Sequence, residues 1–486
     1  MKYIDLDITN NAVATNSQIT SKNVCNLRLK WFFKTKYVVT SNPIVRGDCL
    51  YFTDWGGNAY CVNKYTGELL WKLHIYSPPT YNPCLTQSDF YSVPYPWTGF
   101  AGSGLIVGKT WYLTSCGGRP GTPLNNGATS KLFAIDIKHA KVLYSNTISS
   151  SKWGCALADL LYFDGLLYVG ICGVDQIAKK YALSNDLPFT PTTKGSVVAI
   201  KASTGMIAWT VDLTSLLPED LPHATGLGIY SSFSLCPKTG MLYLATGSNY
   251  SRPPSVLNNS LVALNYKTGD FIWDFHPESD KLLPPSLFQK FSTVFTSGPQ
   301  IFDYYQEEDR IPSIGIADYT GHYYIINRVT GCLLKKIKMS LGSVTTDNLP
   351  IILPLKANAS ISDGKILLGC NNGKMTTSSY YEDLRTMSVV CLDACSAMKL
   401  WAQTEEGSLL ASSGVLCNDV YLIGNTNGHL TAYTATTGDL LNYLQVPGAH
   451  IASSLVADES SLYFGCGTFN NKKYPVRCGV YNYSLF

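Results

Sequence analysis

The side chains most able to bind a metal or act as nucleophiles are scattered along this chain. It carries 15 cysteines and 7 histidines in 486 residues. A structural zinc site needs close cysteine pairs, or cysteines with histidines, to complete four ligands. No CxxC occurs, and the closest spacing, Cys391 and Cys395, has no histidine cluster beside it. His74 and His276 follow apolar strands, while His322 and His429 open hairpins, none of them at ligand spacing. The cysteines read as reduced, small, buried side chains. The alternative is a few disulfides near the C-terminus, such as Cys466 with Cys478.

Composition narrows the classes. The chain is 45% hydrophobic and only 15% charged, against roughly 25% charged in an average soluble protein. That excludes disorder as the main state. A net charge of +3 is too mild for a dedicated nucleic-acid binder. No apolar run reaches the ~18 residues of a membrane span. Asp5 and Asp7 stand where a signal peptide would be apolar. The expectation is therefore a chain without a signal peptide, cytoplasmic or incorporated into a larger particle. Exposure at a surface by a non-classical route is the alternative.

The elements that would position any site are set by a repeat. The segment from Gly57 to Trp71, GNAYCVNKYTGELLW, returns in altered form from Ser130, Gly195, Asn259, Gly321, Met387 and Gly428. Each copy reads as an alternating apolar strand, a polar residue, a tight turn that is Thr-Gly in five of the seven, and a second strand that often closes on Trp. The turn glycine supplies the positive φ that a tight hairpin needs. Asn63, Asp136, Asn265, Asn327 and Asp393 share one repeat position and read as caps of that turn. Trp71, Trp209, Trp273 and Trp401 read as packing between neighbouring units.

A further strand pair precedes each hairpin, so the unit is four antiparallel strands, one blade of a β-propeller. The last unit, from Ser453, runs out one strand short at the C-terminus. The segment Leu27 to Phe33 has Trp31 at the outer-strand position and supplies the missing strand. The sequence thus predicts an all-β, eight-bladed propeller over residues 27–486, closed by its N-terminal strand, with residues 1–26 as a tail. Long insertions at 77–100, 172–194, 214–229, 276–295 and 338–358 are expected to be ordered loops on one face. Short helical or irregular pieces are expected within 215–223 and 282–291. Loops of that length on a rigid scaffold commonly carry function.

The A-x-(D/N)-x-x-T-G-x-x-x-W hairpin resembles the quinoprotein repeat of pyrroloquinoline quinone (PQQ) enzymes. Within that family the chain looks most like the polyvinyl alcohol dehydrogenase branch, through Thr246 to Ser251, Thr296 to Pro299 and the strand Gly195 to Ile200. The resemblance implies a quinone that carries the redox chemistry. It also implies a Ca²⁺ that polarises the quinone carbonyl, and an Asp that removes the alcohol proton.

Carried over position by position, the aromatic platform falls at Tyr230. The metal-binding Asn falls on Ser248, with Asn249 one place later, and the acidic metal ligand falls near Asp175. The vicinal cysteine pair is absent from Thr190 to Lys194. The catalytic Asp is absent from Phe291 to Thr296, and the quinone-contacting Lys is absent near Asp318. Asp318 is the carboxylate that a catalytic version would have to recruit.

Two readings follow. In the first, the propeller has lost catalysis, holds no cofactor, and serves as a scaffold for protein partners or self-assembly. In the second, it is an active dehydrogenase for alcohols or polymer hydroxyls, with PQQ and Ca²⁺ as cofactors. A sugar or peptide ligand in the central funnel is a minor third.

Overall fold

Every repeat becomes one four-stranded antiparallel sheet, and eight such sheets form the ring. The computed structural model describes residues 8–75, 99–115, 129–149, 153–173, 190–216, 224–247, 255–277, 297–306, 309–318, 321–339, 358–372, 386–406, 413–448, 450–467 and 477–485, with Ser151, Asp175, Asn249, Tyr250, Phe295 and Leu410 between them. Blade 1 shows the pattern, with strands Ile44–Arg46, Cys49–Thr53, Asn58–Asn63 and Leu69–His74. Its two middle strands are buried along nearly their whole length, whereas Leu69–His74 alternates between exposed and half-buried residues. The fourth strand is therefore the perimeter, and the first lines the centre. The helical pieces expected within 215–223 and 282–291 lie outside the described residues, apart from a short 3-10 turn at Leu213–Ser215.

Closure follows the sequence expectation. Blade 8 takes Val456–Asp458, Ser461–Cys466 and Gly479–Leu485 from the end of the chain, and Leu27–Lys34 from its start. Three donors converge on the Lys64 carbonyl in the first blade's turn: Trp31 Nε1 at 3.1 Å, Asn482 Nδ2 at 3.1 Å and the Tyr463 hydroxyl at 3.2 Å. The Lys64 ammonium also reaches across the seam to Asp458 at 2.7 Å. Burial alone would lower that ammonium's pKa, but the bond to Asp458 and its charge hold it above the usual lysine value.

The outer-strand tryptophans pack on the turn of the next blade. A Cβ added to Gly67 would meet Trp31 at 2.7 Å, one at Gly331 would meet Trp273 at 2.8 Å, and one at Gly438 would meet Trp401 at 2.6 Å. These glycines have φ of 73°, 75° and 75°, so turn geometry and ring packing both require glycine there. The polar repeat position caps the same turn. Asn63 Oδ1, for instance, accepts the Tyr65 and Thr66 amides at 2.9 and 3.0 Å.

One feature runs against simple alternation. In all eight blades the pairing of third and fourth strands slips by one residue just before the tryptophan position, as between Cys61↔Trp71 and Val62↔Leu69. The extra residue is a β-bulge. It leaves Leu70, Leu143, Ile272 and Leu400 on the exposed perimeter while the residue after it turns inward.

The stretch expected as a tail is bound to the ring from residue 8 onward. The Ile8 carbonyl accepts the Leu235 amide of blade 4 at 2.8 Å, and the Thr9 carbonyl accepts the Ile301 amide of blade 5 at 3.0 Å. Ala12 donates to Ala359 beside the first strand of blade 6 at 3.4 Å and accepts the Leu416 amide of blade 7 at 3.0 Å. Val13–Ala14 then pairs in parallel with Leu416–Cys417. Gln18 and Asn16 exchange backbone bonds with Glu459 of blade 8 at 2.7 and 2.9 Å. Asp5 and Asp7 lie outside the described residues.

Candidate functional site

In an antiparallel meander, connections between second and third strands open on the same face as connections between blades. The strands that flank the five long insertions expected from the sequence are joined by connections of these two kinds, and most residues of the insertions lie outside the described residues. The sequence-selected residues lie at connections of the same kinds. Asp175, Asn249 and Asp318 follow second strands, and Tyr230 precedes the first strand of blade 4, Ser234–Cys236.

Asp175 is fully buried. Its Oδ2 accepts the Thr192 and Thr193 amides at 2.6 and 2.7 Å, and its Oδ1 accepts the Thr193 hydroxyl. A carboxylate offers about four acceptor sites, and three are engaged in anchoring the loop. These bonds tie it to Thr192–Thr193, the segment where the family's cysteine pair is missing. Removing the carboxylate would strand these buried donors, so Asp175 has a structural duty that its sequence position did not disclose.

Tyr230 lies against Gly228 and Gly247, whose added Cβ atoms would meet its ring at 3.1 and 2.7 Å. Its hydroxyl meets the Tyr250 hydroxyl at 2.7 Å, and both reach the Gly173 carbonyl, at 3.2 and 3.3 Å. Burial, then the neighbouring Tyr250, push the Tyr230 phenol well above its usual value, so it stays protonated and donates. The ring packs against a buried group with Trp55, Trp153, Cys155 and Cys172. Structure therefore brings Asp175, Tyr230 and Tyr250 together around the Gly173 end of one strand.

Ser248 lies outside the described residues. Asn249 faces its own loop: its amide donates to Asn258 Oδ1 at 2.7 Å, and its Oδ1 accepts the Ser255 amide at 3.5 Å.

Asp318 sits in a different setting. Its Oδ1 accepts the His322 amide at 3.0 Å and its Oδ2 accepts the Tyr324 hydroxyl at 2.9 Å. It is 4% exposed, and it forms a β-bridge with Phe295. Phe295 belongs to the stretch where the family's catalytic Asp is missing. It is 1% exposed and packs edge-on against Tyr324, with ring centroids 6.2 Å apart.

Sequence reasoning missed the twin of Asp318. Asp54 in blade 1 accepts the Asn58 amide at 3.1 Å and the Tyr60 hydroxyl at 2.8 Å. The signal was present as D-x-x-G-x-x-Y, Asp54-Gly57-Tyr60 and Asp318-Gly321-Tyr324. Both glycines are left-handed, at φ 77° and 82°.

A calcium ion needs six to eight oxygen ligands. Among the described residues, no three His, Cys, Asp or Glu side chains stand close enough to hold a metal. Asp175 is the one carboxylate the resemblance assigns to the ion, and in this structure it anchors the loop at Thr192–Thr193.

Three comparisons place the chain. A family model, PQQ_2, described as outer membrane protein assembly factor BamB, matches residues 148–441. A polyvinylalcohol dehydrogenase of Pseudomonas sp is 23% identical over 275 residues, 55% of this chain and 38% of that protein. The chain thus spans well under half the length of this curated relative. Among solved structures, the quinohemoprotein alcohol dehydrogenase ADHIIG from Pseudomonas putida HK5 superposes with a TM-score of 0.72 at 16% identity, covering 98% of this chain and 79% of that one. BamB from Moraxella catarrhalis superposes with a TM-score of 0.54 at 12% identity, covering 95% of this chain and all of that one. Likeness at such low identity shows the fold alone. The repeats, the eight closed blades and the family match lead to one statement: this chain belongs to the PQQ-type β-propeller family.

Proposed function

We propose that this propeller works as a non-catalytic scaffold that binds protein partners or assembles with itself. The observation that carries this reading is the use of its carboxylates. Asp175 and Asp318 are both engaged by local hydrogen bonds, and the buried Phe295 belongs to the stretch expected to hold a base. A general base must reach the proton it removes, and both carboxylates are buried. The family description, an assembly factor, supports the same direction.

A second reading is favoured by the match to polyvinylalcohol dehydrogenase. In it the chain oxidises alcohols or polymer hydroxyls with PQQ and Ca²⁺, and Asp175 is the carboxylate that meets the ion.

One experiment separates the two. Thermal unfolding is followed with and without PQQ plus Ca²⁺, and dye reduction is followed in the same samples with small alcohols and polyvinyl alcohol. The scaffold reading expects no shift and no reduction. A saturable upward shift with alcohol-dependent reduction establishes the dehydrogenase.

A further inference from the structure

In blade 3 the inner edge is split. Gly154–Cys155 and Leu161–Phe163 both pair with the long strand Leu166–Gly173. The first piece sets two like pairs side by side, Gly154 opposite Gly173 and Cys155 opposite Cys172. Among the described residues no other cysteine faces a cysteine in register. Cys466, for instance, faces Gly479, which puts Cys478 one place out of register.

Residues directly opposite in an antiparallel pair have Cα atoms about 4.5–5.5 Å apart. That lies inside the roughly 4.4–6.8 Å that a disulfide spans. The Cys172 side chain leans towards its partner, and its Sγ donates to the Cys155 carbonyl at 3.2 Å. Both residues are thiols in this structure and fully buried, packed with Trp55 and Trp153. Gly228 leaves the space beside them, because a Cβ there would meet the Cys172 Cβ at 2.7 Å. Burial slows attack from solvent, but Gly154–Cys155 is only two residues long. So short a strand opens locally at little cost.

We propose that Cys155 and Cys172 are a dithiol site that a small-molecule disulfide, such as oxidised glutathione, converts to a cross-strand disulfide. One protein thiolate attacks a sulfur of the oxidant, the oxidant's S–S bond breaks, and a glutathione thiolate leaves. The second protein thiolate attacks the protein sulfur of that mixed disulfide and expels the other glutathione. The two cysteines lose two electrons and two protons, and the oxidant takes them up as two glutathione thiols. The new bond fixes the Gly173 end of the strand, whose carbonyl accepts from Tyr230 and Tyr250. This holds for a scaffold and for a dehydrogenase alike.

The test holds the full-length chain in glutathione buffers graded from reducing to oxidising. One series uses the native protein and the other uses protein refolding from denaturant, so that access does not decide the outcome. Thiols are then alkylated, and peptides are mapped by mass without reduction. A peptide joining Cys155 to Cys172 is expected at the oxidising end of at least one series. Its yield is expected to exceed, by about tenfold or more, that of any link from either residue to another cysteine, and dithiothreitol is expected to remove it. In Cys155→Ser, Cys172 is expected alkylated or bearing glutathione, with no new cysteine partner. The site is overturned when both series leave the two residues alkylated or bearing glutathione rather than joined. It is equally overturned when either residue links elsewhere in comparable yield. Neither result bears on quinone binding, which the melting experiment reads separately.

Discussion

Blade 1 passes from its second to its third strand at Asp54 to Asn58, and blade 5 at Asp318 and His322, with four bonds in common; Asp54 also accepts the Gly56 amide and Asn58 Nδ2. In each, the aspartate amide donates to the carbonyl four residues on, at 3.0 and 2.9 Å, and the glycine amide donates back to the aspartate carbonyl, at 3.2 and 3.3 Å. In each, one carboxylate oxygen takes the amide four residues on and the other takes a tyrosine hydroxyl. Blade 7 builds the turn with an amide instead. Asn425 Oδ1 accepts the Asn427 and His429 amides, both at 3.0 Å. An aspartate that recurs at one repeat position beside different neighbours is explained by the turn. Asp175 has no such counterpart among the described residues, and its bonds run to a loop particular to blade 3. Recurrence thus separates scaffold chemistry from local chemistry.

The comparison breaks most visibly on alanine. Asp54→Ala and Asp318→Ala each leave buried donors without an acceptor, and each is expected to cost roughly 3 kcal/mol in denaturant unfolding. Equal costs support the twin relation. A near-zero cost for Asp318→Ala alone, with loss of an alcohol-dependent activity, would assign Asp318 to chemistry instead.

The asparagine exchange sharpens it. Burial raises the Asp54 carboxyl above its ordinary value, against the opposing bonds from Tyr60 and Asn58. A group raised in the folded state contributes most below its unfolded value near 3.8, and that contribution is lost as pH rises through the folded value. Asp54→Asn, which copies blade 7, is therefore expected to gain stability relative to the parent as pH rises from about 3.5 to neutrality. Denaturant midpoints across that range check it, and a flat difference would mean the carboxylate is as well solvated by its partners as in water.

The smallest effect is expected from the phenols. Tyr60→Phe and Tyr324→Phe each remove one hydrogen bond to a carboxylate, at about 1 kcal/mol and with matching signs. A double change in blade 1 and blade 5 should be additive, because the two turns share no partner.

Much of the ring was legible in the residues. The Thr-Gly turn announces itself because only glycine fits against Trp31, Trp273 and Trp401, and the unpaired final blade points to Leu27–Lys34 as its fourth strand. The bulge was not legible. A one-residue slip leaves the same apolar letters in place, so no letter marks Leu70 and Leu143 as facing outward. Residues 8–19 were also illegible as a bound segment, since backbone pairing places few demands on side chains. The site was legible by position more than by role. Asp175 and Tyr230 do converge near Gly173, but the bonds that occupy Asp175 come from Thr192 and Thr193, and no spacing rule shows them.

Pairing Leu27–Lys34 with Gly479–Leu485 also has a consequence in time. Roughly 450 residues are synthesised between the strand and its partner. At ~5–20 residues per second the strand waits about 20–90 s for that partner. During the wait it is an open edge of the kind that joins strangers. Arg28, Lys30 and Lys34 in the strand are the charges that keep such an edge to itself.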